Sequence, residues 1–336
     1  MPCLKTLSMS QAVLGEAPLF DAVYVQVLDK IFATSGVYVL KFNATTGALE
    51  QSVRISSPVN GNARLCYHTP TGLLYVTVWN EPSLGNTALV HPNKDIYPVS
   101  PAFMTVGARL DIITNTGFII TDDFNSNLEP FWGPNWIGSD QTTYLYLQWN
   151  QPGNYNVIRF DPTNFADRCT QAGDDCNIYV SEQISIGPTY IISADPNNEE
   201  FQYAPIGWNF AFEWSGCSIP TYFPIACEYC PLDTLTYAVD GNGNLFRIND
   251  PTTNDVTVFD LTATLAGADP CRLRWDGFSQ FLYLPCSTTN SIIVWDVVSE
   301  TGIVKTGFEN PIDCVFTVTK AFAVQNSPAQ SLKEIV

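Results

Sequence analysis

Three widely separated segments of the chain carry nearly the same pattern of residues. Each begins with a small residue, an Arg and a Leu, continues as a short apolar strand, and passes through a polar turn into a strand rich in β-branched and aromatic residues. The segments are NARLCYHTPTGLLYVTVWN from Asn62, GARLDIITNTGFIITDDFN from Gly107 and PCRLRWDGFSQFLYLPCS from Pro270. This order of features predicts a β-hairpin. A hairpin that recurs with a period of about 40 to 45 residues is typical of the blades of a β-propeller.

The spacing of the repeated Arg residues predicts eight blades. Arg64 and Arg109 are 45 residues apart, and Arg109 and Arg272 are 163 residues apart. With blades of about 40 to 45 residues, these intervals and the rest of the 336-residue chain hold eight four-stranded blades. Only 26 residues separate the apolar strand at Phe118 from the one at Tyr144. Seven blades, with an insertion between residues 125 and 140, are therefore the alternative.

The two ends of the chain are expected to close the ring. The last repeat ends after SLKEIV, one strand short of a four-stranded blade, and the N-terminal CLKTLSMSQAV precedes the first complete hairpin. We expect this N-terminal segment to pair in the same sheet as Ser331–Val336, which leaves no open sheet edge at the seam. Because blades pack only on their neighbours, residues 1–336 are predicted to form a single all-β propeller domain.

Composition restricts the class of partner. The chain has 33 acidic and 15 basic residues and a formal net charge of −18, whereas nucleic acids and anionic membranes are bound by basic surfaces. The sequence has no run of about 18 apolar residues, and MPCLKTLSMSQAVLGEA lacks the continuous apolar stretch of a secretion signal. We therefore expect no nucleic-acid partner, no membrane partner, and a location in the cytoplasm or in a virion.

The chain contains ten cysteines. Cys227, Cys271 and Cys314 fall at or near the small-residue position of a first strand, close to the crowded axis of a propeller, where a thiol packs as a small hydrophobe. We predict that these three are reduced and buried on the innermost strands. Cys169 and Cys176 enclose a polar stretch, and a disulfide between them would staple a long loop in an oxidising environment.

The segment LGEAPLFD, from Leu14 to Asp21, is followed by a strand and by GVYVLKFNATTG, and NPIDCVFTVTKAFAVQ lies near the other end of the chain. These segments resemble the opening and closing strands of the senescence marker protein and gluconolactonase family of β-propellers. The resemblance implies that Glu16 is a ligand of a divalent cation, such as Ca²⁺ or Zn²⁺, which polarises a lactone carbonyl and activates water. The alternative for Glu16 is a buried carboxylate that accepts hydrogen bonds from inner-strand amides.

Other catalytic motifs are missing from the sequence. It has no nucleophile elbow, phosphate loop or metalloprotease helix, and neither of its two histidines has a recognisable acid or nucleophile beside it. We therefore expect a non-enzymatic propeller, without a cofactor, that binds other proteins or a glycan in a larger assembly. Low Lys with abundant Asn and Thr suggests a virion component, such as a phage structural protein. A metal-dependent lactonase is the alternative.

Candidate contact residues come from two sources. Segments 125–140, 161–176 and 208–223 are irregular for a propeller and are expected to carry contacts. Aromatic residues in them and the Arg residues that repeat in register give the candidate binding set: Trp132, Trp136, Trp208, Trp214, Arg64, Arg109 and Arg272. The Arg residues either bind an anion in the channel or form ion pairs between blades.

Overall fold

A computed structural model of the chain describes residues 19–36, 38–55, 62–79, 95–108, 110–111, 134–151, 154–170, 183–195, 199–206, 215–217, 224–261, 270–326 and 331–336. Within these ranges the chain forms 28 strands in seven antiparallel sheets, with one 3₁₀ turn, η1 (Gln26–Leu28). No helix in these ranges is long and apolar enough to cross a membrane.

Each sheet is a blade in which consecutive strands pair as a meander. Blade 1 consists of β1 (Asp21–Val25), β2 (Lys30–Ser35), β3 (Tyr38–Asn43) and β4 (Leu49–Arg54). Blade 2 consists of β5 (Asn62–His68), β6 (Leu73–Trp79), β7 (Asp95–Ser100) and β8 (Thr105–Val106), with β9 (Leu110–Asp111) also paired to β7. Blade 3 consists of β10 (Pro134–Ser139), β11 (Leu145–Gln151), β12 (Asn154–Asp161) and β13 (Asn164–Thr170).

The remaining blades follow the same order. Blade 4 consists of β14 (Ile184–Ile186), β15 (Tyr190–Asp195), β16 (Glu200–Pro205) and β17 (Ser215–Cys217). Blade 5 consists of β18 (Pro224–Cys230), β19 (Leu235–Asp240), β20 (Asn244–Asp250) and β21 (Asp255–Asp260). Blade 6 consists of β22 (Arg274–Trp275), β23 (Phe281–Cys286), β24 (Ser291–Asp296) and β25 (Thr301–Thr306), and blade 7 of β26 (Pro311–Phe316), β27 (Ala321–Gln325) and β28 (Leu332–Glu334).

Polar residues at fixed offsets set the turns between these strands. Between β19 and β20, Asp240 Oδ1 accepts hydrogen bonds from the backbone amides of Asn242, at 3.0 Å, and Asn244, at 2.9 Å. Gly243 in the same turn has φ +80°, a conformation that glycine adopts without steric cost. The DGNGN segment is therefore a tight hairpin turn that places β20 directly beside β19.

The core is divided into seven hydrophobic clusters, and each cluster lies between two neighbouring blades. One of them joins the last blade to the first, because Phe322 of blade 7 packs with Phe42 of blade 1. Complete burial of a Phe side chain stabilises a fold by about 1.5–3 kcal/mol. The seven interfaces run around the ring without a gap, which confirms a closed seven-bladed propeller.

The eight blades predicted from the Arg spacing are not confirmed, whereas the seven-blade alternative is. The segment from Gly107 has the sequence of a first strand, but its Leu110–Asp111 strand pairs with β7 at the outer part of blade 2. The irregular segments also contain blade strands: β10 in 125–140, β13 in 161–176 and β17 in 208–223. They are therefore insertions only in part. At the seam, β28 pairs with β27, and the N-terminal segment expected beside it lies outside the described residues.

Candidate functional site

Four charged side chains from three blades meet where the innermost strands begin. Asp21 opens β1, Asp313 lies in β26, Arg274 opens β22, and Arg272 lies just before β22. Arg272 Nη1 donates to Asp21 Oδ1 at 2.9 Å and to Asp313 Oδ2 at 2.6 Å. Arg274 donates from Nε and Nη2 to the two oxygens of Asp313 at 2.6 and 2.8 Å, a bidentate pair. We call these four residues the channel clasp.

The carboxylates of the channel clasp also bind backbone amides. Asp21 Oδ2 accepts from the amide of Leu65 in blade 2 at 3.1 Å, and Asp313 Oδ1 accepts from the amide of Cys314 at 2.9 Å. These contacts extend the cluster from blade 6 through blades 7 and 1 to blade 2. The channel clasp therefore ties four neighbouring blades together at the seam of the ring.

Burial raises the pKa of the Asp21 and Asp313 carboxyls, and the neighbouring guanidiniums lower it. Burial alone would raise the pKa of Asp313, but the Arg272 and Arg274 guanidiniums outweigh it and hold that pKa at about 2. For Asp21 burial outweighs the same two cations, so its pKa is raised. Asp313 is therefore the more firmly ionised member of the pair. Arg272 is 3% exposed, and its Nη2 has no hydrogen-bond partner among the described residues.

A second polar group continues around the channel through blades 4, 5 and 6. Gln183, just before β14, donates from Nε2 to Glu228 Oε2, and its Oε1 accepts from the amide of Leu273 at 3.4 Å. Glu228 Oε1 accepts from the amide of Trp275 at 3.4 Å. Burial raises the pKa of Glu228 to about 7, although the nearby Arg274 guanidinium lowers it. This carboxyl therefore changes charge near neutral pH.

The repeated Arg residues have different surroundings. Arg272 forms the inter-blade ion pairs that the sequence suggested as the alternative to anion binding. Arg64 is 8% exposed, and its guanidinium lies 4.2 Å from the centre of the Phe20 ring. Arg109 lies outside the described residues. The structure therefore places Arg272 in the channel clasp and gives Arg64 a packing contact on the neighbouring blade.

The other predicted site residues fall into two groups. Trp136 is 8% exposed and packs with Tyr146 and Ile184 between blades 3 and 4, so its indole belongs to the core and is not an exposed contact. The structure does not describe the side chains of Glu16, Trp132, Trp208, Trp214, Cys169 and Cys176. The candidate metal ligand and the candidate disulfide therefore stay predictions.

The prediction that Cys227, Cys271 and Cys314 are buried, free thiols is confirmed, and their predicted position on an innermost strand is confirmed for Cys227 and Cys314 but not for Cys271. Cys227 and Cys314 are buried thiols on the innermost strands β18 and β26, with exposures of 0% and 2%. Cys271 precedes β22 and is 4% exposed, and its Sγ donates to the carbonyl of Pro285 at 3.4 Å. Burial raises the pKa of the Cys227 and Cys314 thiols well above the usual range, which suppresses the reactive thiolate.

Asp21, Asp313, Arg274 and Glu228 were not predicted from the sequence as members of a channel cluster. A signal for two of them was present, since Asp21 ends LGEAPLFD and Asp313 lies in NPIDCVFTV. Asp21 and Glu228 are described carboxylates that accept an inner-strand amide from the next blade, the alternative role considered for Glu16, which lies outside the described residues. Asp21, Arg274 and Asp313 lie near the start of a first strand, the region that the repeated Arg residues had already marked, whereas Glu228 lies further along β18.

The described cluster does not fit a divalent cation. Two guanidiniums contact the Asp21 and Asp313 carboxylates and place positive charge where a cation would need donor oxygens. Among the residues that the structure describes, no three His, Cys, Asp or Glu side chains are grouped as metal ligands. The channel clasp is therefore a charge-paired cluster.

Comparisons with known proteins show the fold. No protein-family profile and no curated protein matches the chain. Among solved structures, it is similar to selenomethionine-substituted virginiamycin B lyase from Staphylococcus aureus, with a TM-score of 0.68 and 12% identity over 95% of this chain and 94% of that chain. A catalytically inactive His-to-Ala variant of that lyase with quinupristin gives a TM-score of 0.68 and 12% identity over 97% and 96%.

A chain of the mitotic checkpoint complex has the same architecture, with a TM-score of 0.64 and 12% identity over 95% of this chain and 89% of that one. One fold is thus shared by an enzyme and by a member of a multiprotein complex, as expected for a scaffold that hosts unrelated activities. These comparisons confirm the β-propeller. They do not confirm the gluconolactonase-like family.

Proposed function

We propose that this chain is an interaction scaffold, a single propeller domain that binds other proteins or a glycan in a larger assembly such as a virion. The observation that carries the proposal is the pairing of the channel carboxylates with guanidiniums. Asp21 and Asp313 lie 2.6–3.0 Å from Arg272 and Arg274. Because these charges are already matched, we assign the described channel residues a role in stability and place binding on the outer surfaces.

The energetics of the channel clasp support this assignment. Asp313 is 0% exposed and Arg272 is 3% exposed, and removal of one member of a buried ion pair costs about 3–5 kcal/mol because the other charge stays buried. A carboxylate that acts as a nucleophile or general base needs an oxygen that can reach the substrate, whereas all four oxygens of Asp21 and Asp313 accept hydrogen bonds from guanidiniums or backbone amides. Such a cluster holds adjacent blades in register.

Trp132, Trp208 and Trp214, in the irregular segments of the sequence, are the proposed contact residues. Aromatic side chains dominate the energetics of protein interfaces because each buries a large area. Trp136 is left out of this set because its indole is buried between blades. The same aromatic residues suit a glycan, so the partner's class is decided by experiment.

The test compares two variants of the purified protein. Trp132, Trp208 and Trp214 are replaced together by Ser in one variant, and Glu16 is replaced by Gln in the other. Immobilised proteins are exposed to a lysate of the source cells and to a glycan array. We expect wild type and Glu16→Gln to retain the same partner, and the Trp variant to lose it at an unchanged melting temperature.

The opposite result would support the lactonase alternative. Hydrolysis of a sugar lactone is measured with Ca²⁺ or Zn²⁺ added to wild type and to Glu16→Gln. Hydrolysis that requires the metal and disappears in Glu16→Gln, together with retained proteins that do not depend on the Trp residues, would overturn the scaffold proposal.

A further inference from the structure

We propose that the first turns of blades 5, 6, 7 and 1 form a docking surface for a basic segment of a partner protein that also carries apolar side chains. This inference rests on the proposed scaffold function and adds a second contact surface with a defined partner chemistry. We call it the turn face. It comprises the apolar residues Val27, Leu232, Phe278 and Val318 and the acidic residues Asp29, Asp233 and Asp276.

The apolar residues of the turn face are exposed on neighbouring blades. Val27, Leu232, Phe278 and Val318 are 78%, 54%, 44% and 55% exposed. Each lies in the turn between the first and second strands of its blade, where polar residues are the norm. The corresponding turns of blades 2, 3 and 4 contain TPTG, DQTT and GPT and present no large apolar side chain.

The geometry of the ring brings these turns together. The innermost strands run side by side, and the bridge between Gln183 and Ala226 shows that strands of neighbouring blades run in the same direction. The first turns therefore lie on one face of the propeller. The Phe278 ring of blade 6 makes an edge contact with Tyr24 of blade 1, with 6.0 Å between centroids. Blades 6 and 1 thus approach each other across blade 7.

The acidic residues of the turn face have neutral partners. Asp29 accepts from the Tyr24 hydroxyl at 2.9 Å, Asp233 from the Tyr237 hydroxyl at 2.7 Å, and Asp276 from Ser279 Oγ at 2.6 Å. Within the described part of the chain, no Lys or Arg lies within ion-pair distance of these three carboxylates. Their negative charge is available to a cationic partner.

Two described cations, Lys320 in the first turn of blade 7 and Lys30 at the start of β2, are already paired. Lys30 contacts Glu50 and Lys320 contacts Glu334, each at 2.7 Å. Burial is the largest cause that raises the pKa of Tyr24, and the Asp29 carboxylate raises it further. A negative charge beside the hydroxyl is expected to have this effect. A second copy of this chain, with its net charge of −18, would be repelled. The three carboxylates therefore favour a basic segment, because opposite charges attract across an interface. The exposed apolar side chains beside them favour a segment that alternates cations with apolar residues.

The test uses fluorescent synthetic peptides as probes. One alternates Lys with Leu, a second alternates Lys with Ser, and a third alternates Glu with Leu. Val27, Phe278 and Val318 are replaced together by Ser, which keeps the net charge. Val258→Ser with Ile303→Ser is the control, because these residues of β21 and β25 are 48% and 55% exposed away from the turn face.

We expect wild type and the control variant to bind the Lys-Leu peptide best. The turn-face variant should bind it at least about tenfold more weakly, because the substitutions remove three exposed apolar side chains that the Leu residues of the peptide would bury. Equal affinity for the Lys-Ser or Glu-Leu peptide would overturn the proposal, as would unchanged binding in the turn-face variant or a dimer that the substitutions abolish. If only this proposal fails, partner loss in the Trp variant still supports the scaffold function.

Discussion

The Glu228 carboxyl is predicted to lower the stability of the propeller as pH rises through neutrality. Burial raises its pKa from 4.5 to about 7 in the folded chain. A group with a raised folded-state pKa stabilises the fold below its unfolded pKa, and that contribution is lost as pH rises through the folded value. The sensitive window therefore runs from about pH 4.5 to about pH 7.

The size of the effect follows from the shift. One pKa unit corresponds to about 1.4 kcal/mol, so ionisation of Glu228 removes about 3 kcal/mol from the free energy of unfolding. Glu228→Gln keeps the side chain's shape, resembles the protonated acid and does not titrate. Relative to wild type, the variant should gain most of that free energy between about pH 5 and about pH 8.

Urea unfolding of both proteins at several pH values measures this difference. Other titrating groups cancel because they are present in both proteins. Glu50→Gln is the matched control, because the hydrogen bond from Lys30 holds the pKa of Glu50 below its usual range and outside the window. If the difference in unfolding free energy between wild type and Glu228→Gln stays constant with pH, burial does not raise the pKa of Glu228 and the prediction is wrong.

Two further predictions concern the innermost strands. Asp313→Asn should lower the free energy of unfolding by about 3 kcal/mol, because it leaves the buried Arg272 and the partly buried Arg274 without their main partner. Glu300→Gln breaks an ion pair on a 45% exposed side chain and should cost less than about 1 kcal/mol. Equal losses in urea would contradict this. Cys227 and Cys314 should resist alkylation in the native protein and react in urea. Rapid native labelling would show that these inner strands are open.

The fold was predictable because its signal is local. Alternation and turn residues identify each hairpin, and their recurrence identifies the propeller. The number of blades was not predictable. The segment at Gly107 repeats the residues of a first strand, but its strand Leu110–Asp111 pairs with β7 at the outer part of blade 2. Which sheet such a short strand joins depends on tertiary packing.

The channel clasp was only partly predictable for a related reason. The position of Arg272 within the repeat indicated that it lies near the channel. Its partner Asp21, however, is 251 residues away in the sequence. Contacts across the seam of a ring join the two ends of the chain, so no local pattern records them. The turn face depends in part on ring closure, which places the first turn of blade 1 beside those of blades 5, 6 and 7.

The central claim is that the channel clasp provides stability and the outer surfaces provide binding. Its most direct test measures Lys-Leu peptide affinity and melting temperature for wild type, Asp313→Asn and the turn-face variant, well below the melting point of each. We predict that Asp313→Asn melts lower and binds as wild type does, and that the turn-face variant melts as wild type does and loses binding. Loss of binding in Asp313→Asn, with normal binding by the turn-face variant, would contradict the account and move the function into the channel.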